Sequence, residues 1–300
     1  MPPAAESESS VREAESSPSE TARGLLELTR PGNVAAAGVL TFTGAFVADG
    51  LLAPAAIVAA VAATIFATAA GNAVNDYFDR EIDRINRPSR PIPRGAVSER
   101  GALWFSVALF AGAVVSAAVL PVTAIAIAVV NLVALLAYTE LFKGLPGVGN
   151  VVVAYLTGST FLFGAAAVDG AFETTVLVLF ALSAMATFAR EVAKDVEDVA
   201  GDREEGLRTL PIVVGERRSL TLGVAVLAVA VASSVVPFLV GGFGAAYLAL
   251  VLPADSVMLW GAARAFSDPS AGQSRLKQGM LLATAAFIAG RITASGGVPA

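Results

Sequence analysis

The sequence predicts an all-α integral membrane protein, a bundle of about nine transmembrane helices around a central cavity open to the cytoplasmic side. The first observation is composition, because 56% hydrophobic residues and a mean hydropathy of +0.72 far exceed what a soluble domain carries. The second is the recurrence of apolar segments near the roughly 20 residues that cross a bilayer. The third is a set of polar side chains on helix faces where lipid would demand apolar ones, which requires a water-filled cavity with counter-charges.

Nine apolar segments of near-spanning length follow one another along the chain. They lie at residues 33–52, 54–74, 101–119, 121–140, 148–168, 172–190, 219–240, 243–263 and 278–296. Only the connections 76–100 and 191–218 exceed a short turn, so we expect one membrane domain over 23–300 without a linker. Residues 1–22 are rich in Ser and Glu and contain no apolar run, which predicts a disordered acidic tail rather than a signal peptide.

Basic residues are distributed on one side of the predicted bundle. The connections near 49–53, 120, 169–173 and 240 contain no Lys or Arg, whereas the N-terminal segment and the remaining connections hold nearly all of them. Because Lys and Arg are retained on the cytoplasmic side during insertion, this pattern predicts a multi-pass protein of the cell membrane. The N-terminus and both long connections then face the cytoplasm.

Cysteine and histidine are both absent from the chain. Their absence excludes disulfides, thiolate metal sites, iron–sulfur clusters, His-ligated haem and Ser-His-Asp chemistry. Any chemistry must therefore use carboxylates, hydroxyls and cations. The net charge is −5, and we expect membrane lipids but no nucleic acid among the partners.

Two aspartate clusters, at 75–83 and 195–202, stand at the polar ends of apolar segments. Carboxylates are hard oxygen ligands, and Mg²⁺ is usually bound by one or two of them together with substrate phosphate oxygens. So many negative charges would also repel one another unless a divalent ion bridged them. The clusters therefore predict a site for Mg²⁺ and a diphosphate at the membrane surface, with the lipid tail of the substrate in hydrocarbon.

Helical spacing groups the members of each cluster. Asn75, Asp79 and Asp83 follow at i, i+4 and i+8, and Asp198 and Asp202 at i and i+4, so each set is predicted to share one helix face. Both long connections continue into a basic segment punctuated by Pro or Gly. This similarity predicts two facing half-sites.

Residues Asn75–Asp83, followed by Arg90–Gly95, resemble the first signature of the UbiA-type intramembrane prenyltransferases, and Asp198–Asp202 resembles the second. Within that superfamily, Arg190–Asp202 and Gly206–Pro211 are most similar to the archaeal branch that makes digeranylgeranylglyceryl phosphate. The resemblance implies Mg²⁺-dependent transfer of geranylgeranyl from its diphosphate to the sn-2 hydroxyl of geranylgeranylglyceryl phosphate. The allylic C–O bond ionises, pyrophosphate leaves and the hydroxyl captures the cation.

The same resemblance assigns site residues. The metal and diphosphate residues are Asn75, Asp79, Asp83, Asp198 and Asp202, with Asp76 and Asp195 as neighbours that ligate or tune the charge. Cations expected on the diphosphate are Arg90, Lys143 and Lys194, and cations expected on the phosphate of the acceptor are Arg30, Arg94 and Arg208. Tyr138 is expected to face the allylic cation with its ring and hydroxyl, and Asn150 to bind substrate. The catalytic set is Asp79, Asp83, Asp198, Asp202 and Tyr138.

Two other functions are also compatible with the sequence. The first is a UbiA-type enzyme with an aromatic acceptor, of the menaquinone, chlorophyll or haem O type, although the lack of histidine disfavours the haem O branch. The second is a cation transporter, which is disfavoured because both clusters stand at helix ends rather than at broken helices halfway across the membrane. Release of pyrophosphate would separate the enzymes from the transporter.

Overall fold

The computed structural model describes residues 17–48, 52–142, 144–240 and 243–295, and within these ranges it contains helices and no strand. The helices are α1 (Pro18–Thr29), α2 (Pro31–Val47), α3 (Pro54–Phe78), α4 (Arg80–Asn86), α5 (Glu99–Ala117), α6 (Val122–Ala137), α7 (Val148–Ala166), α8 (Thr174–Glu204), α9 (Leu210–Val214), α10 (Glu216–Ser233), α11 (Val236–Leu239), α12 (Ala245–Arg264) and α13 (Pro269–Ser295). A π-helical turn, Tyr138–Phe142, follows α6. The predicted all-helical class is confirmed.

The structure confirms that several helices are long and apolar enough to span a membrane, but it does not confirm the predicted number of nine. Among the described residues, six helical segments are long and apolar enough to cross a membrane: α3, α5, α7, α8, α10 together with α11, and α12. Helices α2 and α6 are apolar but shorter than 18 residues. Helix α13 is long, but its first half carries Gln273, Arg275 and Lys277, which interrupt the apolar run.

Several helix boundaries differ from those predicted by hydropathy. Helix α8 continues to Glu204, beyond the apolar segment 172–190, which confirms the helical spacing predicted for Asp198 and Asp202. Helix α1 begins at Pro18, inside the predicted tail 1–22. Ser17 caps it by accepting a hydrogen bond from the amide of Glu20 at 3.2 Å, and Pro18 suits the first helical position. Residues 1–16 lie outside the described ranges.

The chain divides into two compact units. The first unit comprises the described residues up to Ala35 and Ile65–Ala113. Its core joins α1, the second half of α3, the connection after α4 and the start of α5, through Leu28, Ala73, Ile92, Val97 and Ala102. This core holds the connection that carries Arg90 against the end of α3.

The second unit comprises Ala36–Thr64 and the described residues from Val114 onward. Small residues allow its helices to approach closely. A side chain at Gly44 of α2 would clash with the backbone of Phe161, and one at Gly164 of α7 with the backbone of Thr41. The close fit of these helices fixes α7, which carries Asn150 at its first turn next to α8.

Candidate active site

The first aspartate cluster follows an almost continuous helical path. Helix α3 ends at Phe78 and α4 begins at Arg80, with Asp79 between them at φ −80° and ψ 1°. The helical hydrogen bonds persist across this break, because the amide of Asp79 donates to the carbonyl of Asn75 at 2.9 Å and that of Asp83 to the carbonyl of Asp79 at 2.8 Å. The predicted helical spacing is therefore preserved with a one-residue irregularity at Asp79.

Two carboxylates of this cluster are buried and paired with arginines. Asp76 and Asp83 are each 5% exposed, and Nη1 of Arg90 donates to Oδ1 of Asp76 at 3.1 Å and to Oδ2 of Asp83 at 2.5 Å. Nη2 of Arg30 also donates to Oδ1 of Asp76, at 2.5 Å. Asn72, one turn before Asp76, donates to the carbonyl of Thr29 at 2.8 Å. Asp76 thus has two guanidinium partners, Arg30 and the shared Arg90, which favours the charge-tuning role over direct ligation.

Asn75 and Asp79 have the opposite environment. Both are exposed, and neither side chain has a hydrogen-bond or ion-pair partner in the described part of the chain. The predicted face of Asn75, Asp79 and Asp83 is therefore divided between two exposed groups that are free to bind a ligand and one that Arg90 already neutralises.

The cations expected on the acceptor phosphate also have different surroundings. Nη1 of Arg94 donates to Oε2 of Glu27 at 2.7 Å and to the carbonyl of Ser89 at 2.7 Å. The hydrogen bond from Arg94, assisted by Arg23, holds the pKa of Glu27 below its usual value, so this carboxylate stays ionised. The side chain of Arg208 is exposed and has no partner within the described ranges, whereas its amide donates to the carbonyl of Gly144 at 3.2 Å.

The second aspartate cluster lies along the last turns of α8. Asp195 is half-buried and its Oδ2 accepts a hydrogen bond from Nδ2 of Asn150 on α7 at 2.7 Å. Asp198 is exposed without a hydrogen-bond or ion-pair partner among the described residues, and Asp202 is half-buried close to the Thr209 hydroxyl. As in the first cluster, one carboxylate (Asp195) is hydrogen-bonded to another side chain, and another (Asp198) has no partner among the described residues.

A small polar cavity of about 40 Å³ adjoins this cluster. Its polar lining consists of Tyr138, Asn150, Glu191, Lys194, Asp195 and Thr209. Tyr138 begins the π-helical turn after α6, a local irregularity that is frequent at functional sites. The structure therefore brings together four predicted site residues, namely Tyr138, Asn150, Lys194 and Asp195, and Lys143 lies outside the described residues.

Glu191 and Thr209 were not among the residues selected from the sequence. Glu191 is 9% exposed, and its carboxylate accepts from Nη1 of Arg190 at 2.6 Å and lies 3.9 Å from Nζ of Lys194. Its position one helical turn before Asp195 was the available signal. Thr209 belongs to the segment Gly206–Pro211, but nothing in its spacing from Asp202 predicts that the chain turns back onto the cavity.

The donor set suits a hard divalent cation. No group of three or more Asp or Glu residues within the described ranges is arranged to hold a metal ion alone. Mg²⁺ does not require such a cage, since one or two carboxylates and the phosphates of a substrate complete its coordination. The exposed Asn75 and Asp79 in the first unit, and Asp198 in the second, offer the oxygen atoms that this chemistry needs.

Comparison with known proteins identifies relatives over almost the full length of the chain. Residues 37–288 match the model of the UbiA prenyltransferase family. The digeranylgeranylglyceryl phosphate synthase of Haloquadratum walsbyi is 61% identical over 279 residues, which cover 93% of this chain and 98% of the relative.

Solved structures show the same fold. A structure described for a digeranylgeranylglyceryl phosphate synthase in membranes is 33% identical with a TM-score of 0.77, covering 91% of this chain and 99% of its own. A UbiA homologue from Archaeoglobus fulgidus, solved with GPP and Mg²⁺, is 18% identical with a TM-score of 0.64, covering 90% of this chain and 99% of its own. On the family match and the identity to its relatives, the chain belongs to the UbiA prenyltransferase family.

Proposed function

We propose that this protein transfers a geranylgeranyl group from geranylgeranyl diphosphate to the sn-2 hydroxyl of geranylgeranylglyceryl phosphate, forming digeranylgeranylglyceryl phosphate for ether lipids. The observation that carries the proposal is the 61% identity, over nearly the full length of both chains, to a relative named for that product. The site supports it, because both clusters combine free carboxylates with nearby cations and no histidine is needed.

The residues that would hold Mg²⁺ are those of the two aspartate motifs. Asn75, Asp79 and Asp198 are the first choices because their side chains are exposed and unpartnered in the described structure, and Asp83 and Asp202 would complete the set. Asp76 and Asp195 would adjust the charge of the site without binding the metal. Asp76 is already paired with Arg30 and Arg90, and Asp195 accepts a hydrogen bond from Asn150. Bound there with the diphosphate, Mg²⁺ would neutralise the charge that grows on the leaving group. The Mg²⁺-bound homologue from Archaeoglobus fulgidus supports a divalent ion in this fold.

Arginine and lysine side chains would supply the remaining positive charge. Arg90, Lys143 and Lys194 would contact the diphosphate, a preorganised electrostatic role that favours the state in which the C–O bond has broken. Arg30, Arg94 or Arg208 would bind the phosphate of the acceptor, and of these three Arg208 is the one whose guanidinium has no partner among the described residues.

The bond changes need no covalent enzyme intermediate. The bond between the allylic carbon and the diphosphate oxygen breaks, and both electrons leave with pyrophosphate. Tyr138 would face the allylic cation with its aromatic ring. Its half-buried position beside the carboxylates of Glu191, Asp195 and Asp202 gives that region a negative field that favours a cation. The hydroxyl oxygen of the acceptor then forms the ether bond to the allylic carbon, and its proton is released to water.

We also propose an arrangement of the chain in the membrane. About nine spans would surround a central cavity open to the cytoplasmic side of the cell membrane, with residues 23–300 as the membrane domain and 1–22 as a tail. The one-sided distribution of Lys and Arg supports this orientation. It would expose the site to the cytoplasmic pool of Mg²⁺ and prenyl diphosphate.

Metal dependence provides a direct test of the proposal. Purified protein with geranylgeranyl diphosphate and geranylgeranylglyceryl phosphate should release pyrophosphate with Mg²⁺, and EDTA should reduce the rate to background until Mg²⁺ is restored. The physical reason is that the arginine and lysine side chains supply only part of the positive charge that the leaving group needs, and Mg²⁺ would supply the rest. Pyrophosphate release that persists at full rate in EDTA would contradict the assigned role of the aspartates, and no release under any condition would contradict the prenyltransferase chemistry.

A further inference from the structure

Helix α12 carries an aspartate near its midpoint that the proposed reaction does not use. Asp255 is 5% exposed and lies ten residues after Ala245, about 15 Å along a helix that is long and apolar enough to cross a membrane. An ionisable side chain at this depth is costly, and it normally faces the protein interior and pairs with another group. The groups around Asp255 therefore indicate in which protonation state it is stable.

Buried carboxylates elsewhere in this chain have arginine partners. Asp76 and Asp83 are also 5% exposed, and both form ion pairs with arginine. Asp255 has no ion pair within the described ranges, and the side chain that contacts it is Ser234 at the end of α10, whose Oγ lies 2.7 Å from Oδ2 of Asp255. A single hydroxyl does not offset the cost of an ionised carboxylate in the membrane interior, so these surroundings favour the neutral acid.

The hydroxyl protons near Asp255 can be assigned to acceptors. The hydroxyl of Tyr247 donates to the carbonyl of Ser234 at 2.7 Å. Oγ of Ser234 lies 2.8 Å from the carbonyl of Val231 and 2.7 Å from Oδ2 of Asp255, but it has one proton to donate. If Asp255 carries a proton, its own O–H donates to Ser234 and Ser234 donates to Val231. The neutral acid therefore satisfies both short contacts, whereas the ionised form satisfies one.

Helix α13 packs against α12 beside Asp255 without placing a charge there. Gly279 of α13 lies against the carbonyl of the residue that precedes Asp255. Lys277 comes two positions before Gly279, which places it on another face of α13, and it is exposed. Arg275 lies nearer the end of α12, where its guanidinium stands 4.8 Å from the centre of the Trp260 ring.

The other charges on neighbouring helices lie farther from Asp255. Arg291 of α13 lies next to the residue that packs against Tyr247, eight residues before Asp255. Helix α8 faces this part of α12 with its segment 174–189, which contains no charged side chain. The charges of α10 are in its first turn, at the opposite end from Ser234, and α11 has none. The titratable group beside Asp255 is thus a tyrosine rather than a cation.

We propose that Asp255 is a neutral carboxylic acid in the folded protein and that its proton links α12 to the end of α10. The O–H of Asp255 donates to Oγ of Ser234, which in turn donates to the carbonyl of Val231. In the unfolded chain the aspartate is exposed to water and titrates near about pH 4, so it loses this proton at neutral pH. The proton site belongs to neither aspartate cluster and involves no substrate.

Denaturant unfolding in detergent as a function of pH tests the assignment, with Asp255→Asn as the comparison. Asparagine is neutral, has nearly the same shape, and its amide can donate to Ser234. The folded wild type holds one proton more than the unfolded chain, so its stability falls as pH rises. We expect its unfolding equilibrium constant to rise, relative to that of Asp255→Asn, about tenfold per pH unit between about pH 6 and pH 8. The two proteins should converge toward about pH 4, where the unfolded aspartate is also protonated.

Asp76→Asn is the matched control. Asp76 is as buried as Asp255 but is paired with two arginines, so its neutralisation should lower stability at neutral pH, whereas that of Asp255 should not. A difference between the wild type and Asp255→Asn that does not change with pH would mean that Asp255 is ionised in the fold, and it would overturn the proposal. So would an Asp255→Asn protein as destabilised as Asp76→Asn.

Infrared spectroscopy gives a second readout that holds even if Asp255→Asn does not fold. At about pH 8 exposed carboxyl groups are ionised, so the carbonyl band of a protonated carboxylic acid must come from a buried neutral acid. The wild type should show this band, and Ser234→Ala should shift it because the acid loses the hydroxyl that accepts its proton. A spectrum without the band at this pH, or a band that Ser234→Ala leaves unchanged, would contradict the assignment to Asp255.

Discussion

Asp79→Ala and Asp198→Ala should each reduce prenyl transfer by at least about a hundredfold while the protein remains inserted and folded. Both side chains are exposed and unpartnered in the described structure, so their removal should change the free energy of unfolding by less than about 0.5 kcal/mol. The rate of prenyl transfer should fall because each carboxylate is expected to bind Mg²⁺ and, through it, the diphosphate. The measurement is the rate of pyrophosphate release, together with the thermal unfolding midpoint in detergent.

Glu81→Ala and Glu204→Ala are suitable controls for these two variants. Each removes an exposed carboxylate close to a proposed ligand, from α4 and α8 respectively, without touching the predicted metal set. They should retain wild-type turnover. Normal activity in Asp79→Ala or in Asp198→Ala would refute the assignment of that aspartate to the metal and diphosphate.

Arg90→Met should cause the largest loss of stability. Arg90 is the shared partner of the buried carboxylates of Asp76 and Asp83, and its own side chain is 17% exposed. Its removal leaves Asp83 buried without a cation and Asp76 with Arg30 alone, and breaking a buried pair in this way typically costs about 3–5 kcal/mol. Thermal unfolding in detergent should show the loss, and activity should fall because the first cluster loses its fixed geometry.

Two further variants separate this effect from a general effect of changing the loop. Arg87→Met alters an exposed arginine of the same connection that has no ion-pair partner among the described residues, and it should not change stability measurably. Adding Asp83→Asn to Arg90→Met should recover part of the lost stability, because the buried group is then neutral. A destabilisation that is equal in Arg87→Met, or that Asp83→Asn does not relieve, would contradict the role given to the ion pair.

The apolar segments and both aspartate clusters could be predicted from the sequence because hydropathy and helical spacing are local properties. The coarse fold and the chemical nature of the donors follow from them. The helical spacing also predicts that Asp83 shares one helix face with Asn75 and Asp79. It could not show that Arg90 reaches back to Asp76 and Asp83, since that contact depends on how the connection around Gly95 folds, with φ of 78° at this glycine.

The cavity beside α8 shows the same limit. Asn150 and Asp195 are 45 residues apart, and only the packing of α7 against α8 places their side chains 2.7 Å apart. Thr209 approaches Asp202 because the chain reverses after Gly206, whose φ is 74°. Such contacts depend on tertiary packing, so spacing predicts the helix faces but not which neighbours neutralise them.

Transfer of radiolabelled geranylgeranyl diphosphate by the purified protein with Mg²⁺ tests the central claim most directly. Geranylgeranylglyceryl phosphate and a dihydroxynaphthoate should be offered as acceptors in parallel reactions. We expect the label in a double-chain ether lipid, with little in the aromatic product. Label in the naphthoate instead would contradict the claim and assign the protein to an aromatic acceptor with the same metal site.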